Sequence, residues 1–329
     1  MRKVSELGER KVIQAIIKCL DKMPEMPIPF GDDLSAVKIG KNALAVVKTD
    51  MLVGKTDVPP GMSLRQAARK AVVMNVSDFA AKGVKPLAAL VSLGLPKNFD
   101  EENIRQIGLG LNEGAREYEA YIIGGDTGEA SDLVISCSLF GLCEKQILVK
   151  RSTAKPGDIV AVTGEFGKTA AGLKILLEKL DVPEGIRRPL TEAVFWPKAR
   201  LKEGITLAEA GFLSSSIDSS DGLAWSLHEL SVASNVGFKI DFVPLASEAL
   251  ELARLFNLNP LDLGLYGGEE YELVVTVKRE LWDKAKKAME SLGGKLIRIG
   301  EVVEEKKLIV KIDGETTPIE PKGWEHFKS

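Results

Sequence analysis

SLRQAARKAVVMNVSDFAAKGVKPLAALVSLGL, residues 63–95, contains a helix and the strand it leads into. Ser63 and Gln66 have the spacing of a capping box, which starts the helix, and Gly83 stops it. PLAALVSLGL (86–95) then reads as an apolar strand. Asp78 falls in mid-helix, where aspartate is mildly unfavourable. Asn75 and Asp78 are three residues apart and share a face, with Ala71 and Val72 nearby, so a polar pair points inward.

Upstream, ALAVVKTD (43–50) is a short buried strand ending on Asp50. MPEMPIPFGDDL has prolines at 24, 27 and 29, which forbid a regular helix. The first twenty residues carry charges throughout and an apolar stripe of Val4, Leu7, Val12, Ile16 and Leu20. That pattern predicts a docked amphipathic helix and excludes a secretory signal.

Downstream, Asp100 caps a helix running to about Tyr118. YIIGGDT (121–127) reads as a strand breaking into a Gly-Gly turn, and LVISCSLFGLC (133–143) as another strand. Lys155-Pro156-Gly157-Asp158 marks a turn, and the domain boundary is placed near 150, giving domains of 1–150 and 151–329. In the second half, strands are expected at 159–164, 214–218, 238–242, 271–277, 295–303 and 308–312. Helices are expected from Thr169, around 190–210, over 223–234 and 246–265, and at 279–292. The fold class is α/β (α+β): two mixed domains with several antiparallel strand pairs.

The 329 residues, 45% of them hydrophobic, suffice for two cores. Lys plus Arg number 44 against 47 Asp plus Glu, a net charge of −3, which argues against a nucleic-acid or anionic-membrane surface as the main business of the chain. No apolar run approaches a membrane span. The two histidines, His228 and His326, and three cysteines, Cys19, Cys137 and Cys143, supply neither a structural zinc site nor a disulfide framework. A cytoplasmic location is expected.

What remains is acid chemistry. Asp32, Asp33, Asp50, Asp78, Asp126, Asp218 and Asp221 lie mostly at strand ends or in Gly/Ser turns. Any one of them alone is explained as a turn or cap residue. In open α/β sheets, however, ligands bind beyond strand ends. If the carboxylates converge, each like-charged pair about 4 Å apart repels by about 4 kcal/mol at an effective dielectric near 20. They then require divalent cations, and an oxygen-only donor set favours Mg²⁺ bridging to substrate phosphates. A rival phosphate signal, GEFGKTAAGL (164–173), lacks Walker A spacing, because Gly164 and Gly167 are separated by two residues. It reads as a strand-turn-helix start.

Seven motifs in order, FGDDLSAV, KTDMLV, NVSDFAAKGVKP, IIGGDT, RSTAKPGD, IDSSDGL and YGGEEYEL, resemble the ATP-dependent superfamily of aminoimidazole ribonucleotide synthetase and selenophosphate synthetase. Within it the pattern is most similar to the thiamine-monophosphate kinases, over nearly the whole chain and including KGWEHF (322–327). The resemblance implies an N-terminal sheet that pairs with its twin in a homodimer, and a C-terminal α/β domain completing the ATP site. It implies metal ligation by Asp33, Thr49, Asp50, Asp78, Asp126, Asp218 and Asp221, with Asp126, Asp218 and Asp221 catalytic. ATP contacts would come from Gly125, Asp126, Arg151 and Ser220, and substrate contacts from Asp57, Glu269 and Trp324. Asp57 stands where the family usually has a histidine, and Lys48 where a small hydroxyl residue can assist a metal; Glu270 replaces a frequent aspartate.

The implied reaction is in-line transfer of the ATP γ-phosphoryl group to thiamine monophosphate, aided by several Mg²⁺. The nucleophile is a phosphate oxygen, already largely ionised at neutral pH, so no histidine base is needed. Two alternatives stay open: activation of an amide or carbonyl oxygen by ATP, and a non-catalytic nucleotide–Mg²⁺ sensor. The terminus HFKS lacks the cysteine that a hydrogenase-maturation type needs.

Overall fold

Two sheets with a single long helix wedged between them organise the chain in a computed structural model that describes residues 3–312 and 314–327. The first sheet contains β1 (Ser35–Lys38), β2 (Ala43–Val53), β3 (Pro86–Leu95), β4 (Tyr121–Glu129) and β5 (Val134–Glu144), in the order β1-β2-β5-β3-β4. Only β3 and β4 run parallel. The second contains β6 (Ile159–Val162), β7 (Leu213–Asp218), β8 (Gly237–Ile240), β9 (Leu273–Val277), β10 (Ile297–Val303), β11 (Leu308–Ile312) and β12 (Glu315–Pro318). Their order is β12-β11-β8-β10-β6-β9-β7, and β8 and β11 form its parallel pair.

The helix Leu64–Lys82 begins at Ser63, whose hydroxyl accepts from the Gln66 N–H, and ends at Gly83 in a left-handed conformation. Almost every residue from Ala67 onward is buried, including Arg69, Lys70, Asn75, Asp78 and Lys82. The cause is packing on more than one side. A Cβ on Gly204 of the helix Leu201–Glu209 would lie 2.0 Å from the Ala80 carbonyl, so those two helices nearly touch backbone to backbone. A helix apolar on one stripe only cannot fill such a place; small residues all round can.

The two sheets differ in cover. β6, β7 and β9 are buried along their whole length. In the first sheet, alternate residues of β2 (Leu44, Val46, Leu52) are buried toward the long helix, whereas Val47, Met51, Leu90, Tyr121, Ile123, Phe140 and Leu142 are exposed. The register sets Val47 beside Phe140, and Phe140 and Tyr121 both beside Ala88, so these belong to one continuous apolar face.

Two expectations need correction. YIIGGDT does not turn at Gly124-Gly125; β4 continues to Glu129. A Cβ on Gly125 would sit 1.8 Å from the Val91 carbonyl, so glycine permits close approach of β3 here. The N-terminal stretch breaks at Gly8 into Val4–Leu7 and Glu9–Ile17, and no residue of either helix is buried. Polar contacts hold it instead: the Arg10 guanidinium lies 3.1 Å from the Trp225 ring centroid and pairs with Glu325, and the Glu9 N–H donates to the His326 carbonyl. Met1 and Arg2 at its head, and the terminal Lys328-Ser329, lie outside the described residues. β1 and β12 were not anticipated; both are four-residue strands, too short to show a period.

Candidate functional site

The long helix, β2, β7 and the loop before β1 converge where the two sheets meet. Asp33, Asp78 and Asp218 each offer a carboxylate oxygen there, all within 4.8 Å of one another, and all three residues are buried. Asp218 is the last residue of β7, and its Oδ2 accepts from the Ser77 hydroxyl at 2.6 Å. Burial pushes Asp218 up to about 6, reinforced by the Asp33 charge and opposed by the Ser77 bond. Burial also raises Asp78 well above the ordinary carboxylate range, with Asp218, Asp50 and Asp33 adding to the shift against the Lys48 ammonium. For Asp33, burial is outweighed by Arg151 and Lys82, which hold it ionised.

Three cations stand among these acids. Lys82, fully buried, places its ammonium 2.6 Å from Asp32 Oδ1 and 2.5 Å from Asp33 Oδ2, and donates to the Ser216 carbonyl at 2.8 Å. Arg151 grips Asp33 with Nε and Nη2, and its Nη1 donates to the Gly31 carbonyl and to Glu229 at 3.0 Å. Lys48 shares with Asp50 the face of β2 turned to the long helix. Its ammonium lies 3.2 Å from Asp50 Oδ1 and 3.0 Å from Asp78 Oδ2.

Asp221 follows β7 and is partly buried. Burial and the Glu9 charge push it up to about 6, against the Arg10 charge. Its carbonyl accepts from the Trp324 N–H at 3.0 Å, which pins a half-exposed tryptophan at the rim. Ser220 is exposed, and its carbonyl accepts from the Glu269 N–H at 2.7 Å. Glu269 adopts a left-handed backbone (φ 64°), and its carboxylate lies 2.5 Å from the Lys70 ammonium. The same ammonium donates to the Asp57 carbonyl at 3.0 Å, so Lys70 joins two of the expected substrate contacts. The Asp57 carboxylate is engaged by the Val53 N–H at 2.7 Å, closing the short turn Gly54–Asp57.

Two expected ligands lie apart from the cluster. Thr49 is on the open face of β2, where its hydroxyl donates to the Cys137 carbonyl and accepts from Ser138. Asp126, with Gly125, is exposed on β4, three strand spacings from β2, or about 14 Å across the sheet. Sequence reasoning missed Ser77, Lys70 and Lys82. The available signal was Lys82 itself, a long cation in the last turn of a helix rich in small residues.

The rival loop is filled by its own protein. Glu270 Oε1 accepts from the Gly167 and Thr169 N–H groups, at 2.7 and 3.1 Å, at the start of the helix Lys168–Glu178. That carboxylate takes the place that a phosphate would need.

For the acidic cluster, the donors are all oxygens, and burial, added to by the neighbouring carboxylate charges, pushes two of the three acids toward protonation. Hard divalent cations fit such a set.

Comparison with known proteins agrees with this geometry. Residues 31–143 match the family described as AIR synthase related protein, N-terminal domain, and 155–313 its C-terminal domain. The thiamine-monophosphate kinase of Pyrococcus horikoshii is 37% identical over 327 residues, covering 99% of this chain and 98% of its own. That of Nitrosopumilus maritimus is also 37% identical, covering 99% and 100%. The solved structure "AaThiL complexed with AMPPCP and TMP" superposes with a TM-score of 0.86 at 29% identity, covering 99% of both chains.

Proposed function

The chain belongs to the thiamine-monophosphate kinases, within the AIR synthase related proteins, and from that premise we propose how its own residues carry out ATP-dependent phosphorylation of thiamine monophosphate. The observation that carries the reading is the convergence of Asp33, Asp78 and Asp218 within 4.8 Å beside the Arg151 fork. A relative solved with AMPPCP and TMP supports the same pair of substrates. No helix among the described residues is long and apolar enough to cross a membrane, in keeping with the proposed cytoplasmic location.

A phosphate oxygen of thiamine monophosphate attacks the γ-phosphorus in line, the bond from γ-phosphorus to the bridging oxygen breaks, and ADP leaves. The attacking phosphate is mostly dianionic at pH 7, so the chain has to position and neutralise, not to remove a proton. Mg²⁺, when bound, neutralises the triphosphate charge. Asp33, Asp50, Asp78, Asp218 and Asp221 hold the cations by oxygen, and Thr49 contributes through its main chain. Arg151, in a turn and a few ångströms from Asp33, meets the nucleotide phosphates with its planar fork. Ser220 and Gly125 bound the nucleotide. Lys70 fixes Glu269 for the substrate, Asp57 serves by fixing Lys70, and Trp324 stacks on the cationic thiazolium.

The exposed apolar face of the first sheet is the proposed dimer interface. β4 is its free edge, so Asp126 and Gly125 act across the protomer boundary, which accounts for their distance from the other acids. The division into domains near residue 150 follows the same reading, with one sheet on each side of it.

The test is ADP release from purified protein, ATP and Mg²⁺, with thiamine monophosphate, thiamine or a purine-pathway amidine precursor offered separately. Release with thiamine monophosphate alone is expected. Release with the amidine instead, or nucleotide binding without release, overturns the proposal.

A further inference from the structure

Lys48 departs from what the surrounding motif requires. The position precedes Thr49-Asp50, and a small hydroxyl side chain there can assist a metal; a lysine cannot ligate a cation while it is charged. In the structure this ammonium does not turn away to solvent. It sits between two of the carboxylates assigned to metal binding, 3.2 Å from Asp50 and 3.0 Å from Asp78, with its side chain only 20% exposed. Asp50 comes from β2 and Asp78 from the long helix, so the ammonium bridges two elements as a bound cation would.

Lys82, on the far side of the acidic cluster's Asp33, makes a useful contrast. Lys82 is wholly buried and also donates to the Ser216 carbonyl, a main-chain bond that ties β7 to the long helix. It pairs with Asp32 and Asp33 as well, but the main-chain bond gives it a strut's role that Lys48 does not share. For Lys48 the cation contacts are Asp50 and Asp78, both on the metal side of the site, with Asp218 the next charge felt.

We propose that the Lys48 ammonium, held between Asp50 and Asp78, is a covalently tethered substitute for one divalent cation, so that this protein binds one metal ion fewer per site than a variant with a hydroxyl side chain at position 48. The inference rests on the reading of Asp50 and Asp78 as metal ligands. Its physical basis is charge accounting: crowded carboxylates need a fixed amount of positive charge nearby, and a built-in ammonium supplies part of it without ion recruitment. A tethered cation is also present before ATP arrives, which lowers the Mg²⁺ requirement for assembling the site.

The test counts metals directly. Mn²⁺ is titrated into Lys48→Ser and the unsubstituted protein, each with a non-hydrolysable ATP analogue, and bound ion is read by electron paramagnetic resonance. The serine variant is expected to bind one more Mn²⁺ per protomer, and Lys48→Arg, which keeps the charge, to match the unsubstituted count. In EDTA the serine variant is expected to melt lower, and Mg²⁺ to raise its Tm by more than that of the unsubstituted protein. Equal counts and equal Mg²⁺-induced shifts in both proteins overturn the proposal. If the serine chain does not fold, Lys48→Gln, neutral and of similar length, repeats the count with the same expectation. Absence of ADP release from the unsubstituted protein with thiamine monophosphate would sink the proposed function instead, and leaves the metal count to be read independently.

Discussion

Two groups of acids withdrawn wholly or partly from solvent lie within the same molecule and have opposite meanings. Glu270 and Glu272 are satisfied by donors that the fold provides: Gly167 and Thr169 N–H groups for one, and the Thr163 hydroxyl and Arg200 for the other. Asp33, Asp78 and Asp218 are crowded against one another, and the cations that meet them, Arg151, Lys82 and Lys48, are shared with Glu229, Asp32 and Asp50. The first group is architecture, closing a helix N-terminus and tying β6 to β9. The second holds more acids than cations, and under the proposed function divalent ions make up the difference. Burial alone does not separate the two, since Glu270 is itself pushed up to about 7 by burial, against its two N–H bonds. The nature of the neighbours does.

The strongest way to break this comparison is Asp218→Asn. The amide still accepts from Ser77 but removes one crowded charge. Turnover should fall by about a hundredfold or more, roughly 3 kcal/mol of lost transition-state stabilisation. Thermal stability in EDTA should rise, because a buried like charge is gone. Near-normal kcat at saturating Mg²⁺ would show that the crowding serves no metal.

Ile123→Glu tests whether the cluster is completed across the open sheet face, where Ile123 is 68% exposed. Sedimentation should report monomers, and activity should drop with the loss of Asp126 from the site. A variant that stays dimeric and active places the interface elsewhere.

Glu272→Gln probes the other group. It weakens the Arg200 contacts and the short Thr163 bond in a residue 5% exposed. Because the Arg200 side chain is a third exposed, the expected cost is modest, about 1–2 kcal/mol in urea unfolding, with kcat per folded molecule unchanged. A large fall in kcat without unfolding would mean that this pair belongs to the chemistry.

The smallest effect is in pH. Asp218 and Asp221 are raised from 3.8 to about 6, so the metal-free native state holds their protons more tightly than the unfolded chain does. Their contribution to stability is therefore full below about pH 4 and is lost as pH rises through about 6. The Tm in EDTA should decline over that window, and the gain from Mg²⁺ should be larger at pH 7 than at pH 4.5. An equal gain at both values would detach these two acids from metal binding.

Much of the fold was legible because it rests on local rules. The Ser63–Gln66 box, the Gly83 stop and the Asp100 cap are satisfied within a few residues, so composition and spacing suffice to place them. The break at Gly124-Gly125 was misread because glycine serves turns and close strand contacts alike, and only the position of Val91 distinguishes them. The N-terminal stripe was misread because an amphipathic pattern does not say whether anything covers it.

The sequence by itself determined most of the helices and strands and the oxygen-only chemistry, since these depend on residue type and on spacing along the chain, while the grouping of Asp33, Asp78 and Asp218 in one candidate site was implied by the resemblance of its motifs to a known family. Tertiary structure alone decided which face of β2 meets the long helix, that Asp126 stands apart, and that Lys48 lies between two acids. The reason is that charge interactions depend on distance and burial, and both are set by how β2, β7 and the long helix pack, not by where their residues fall in the chain.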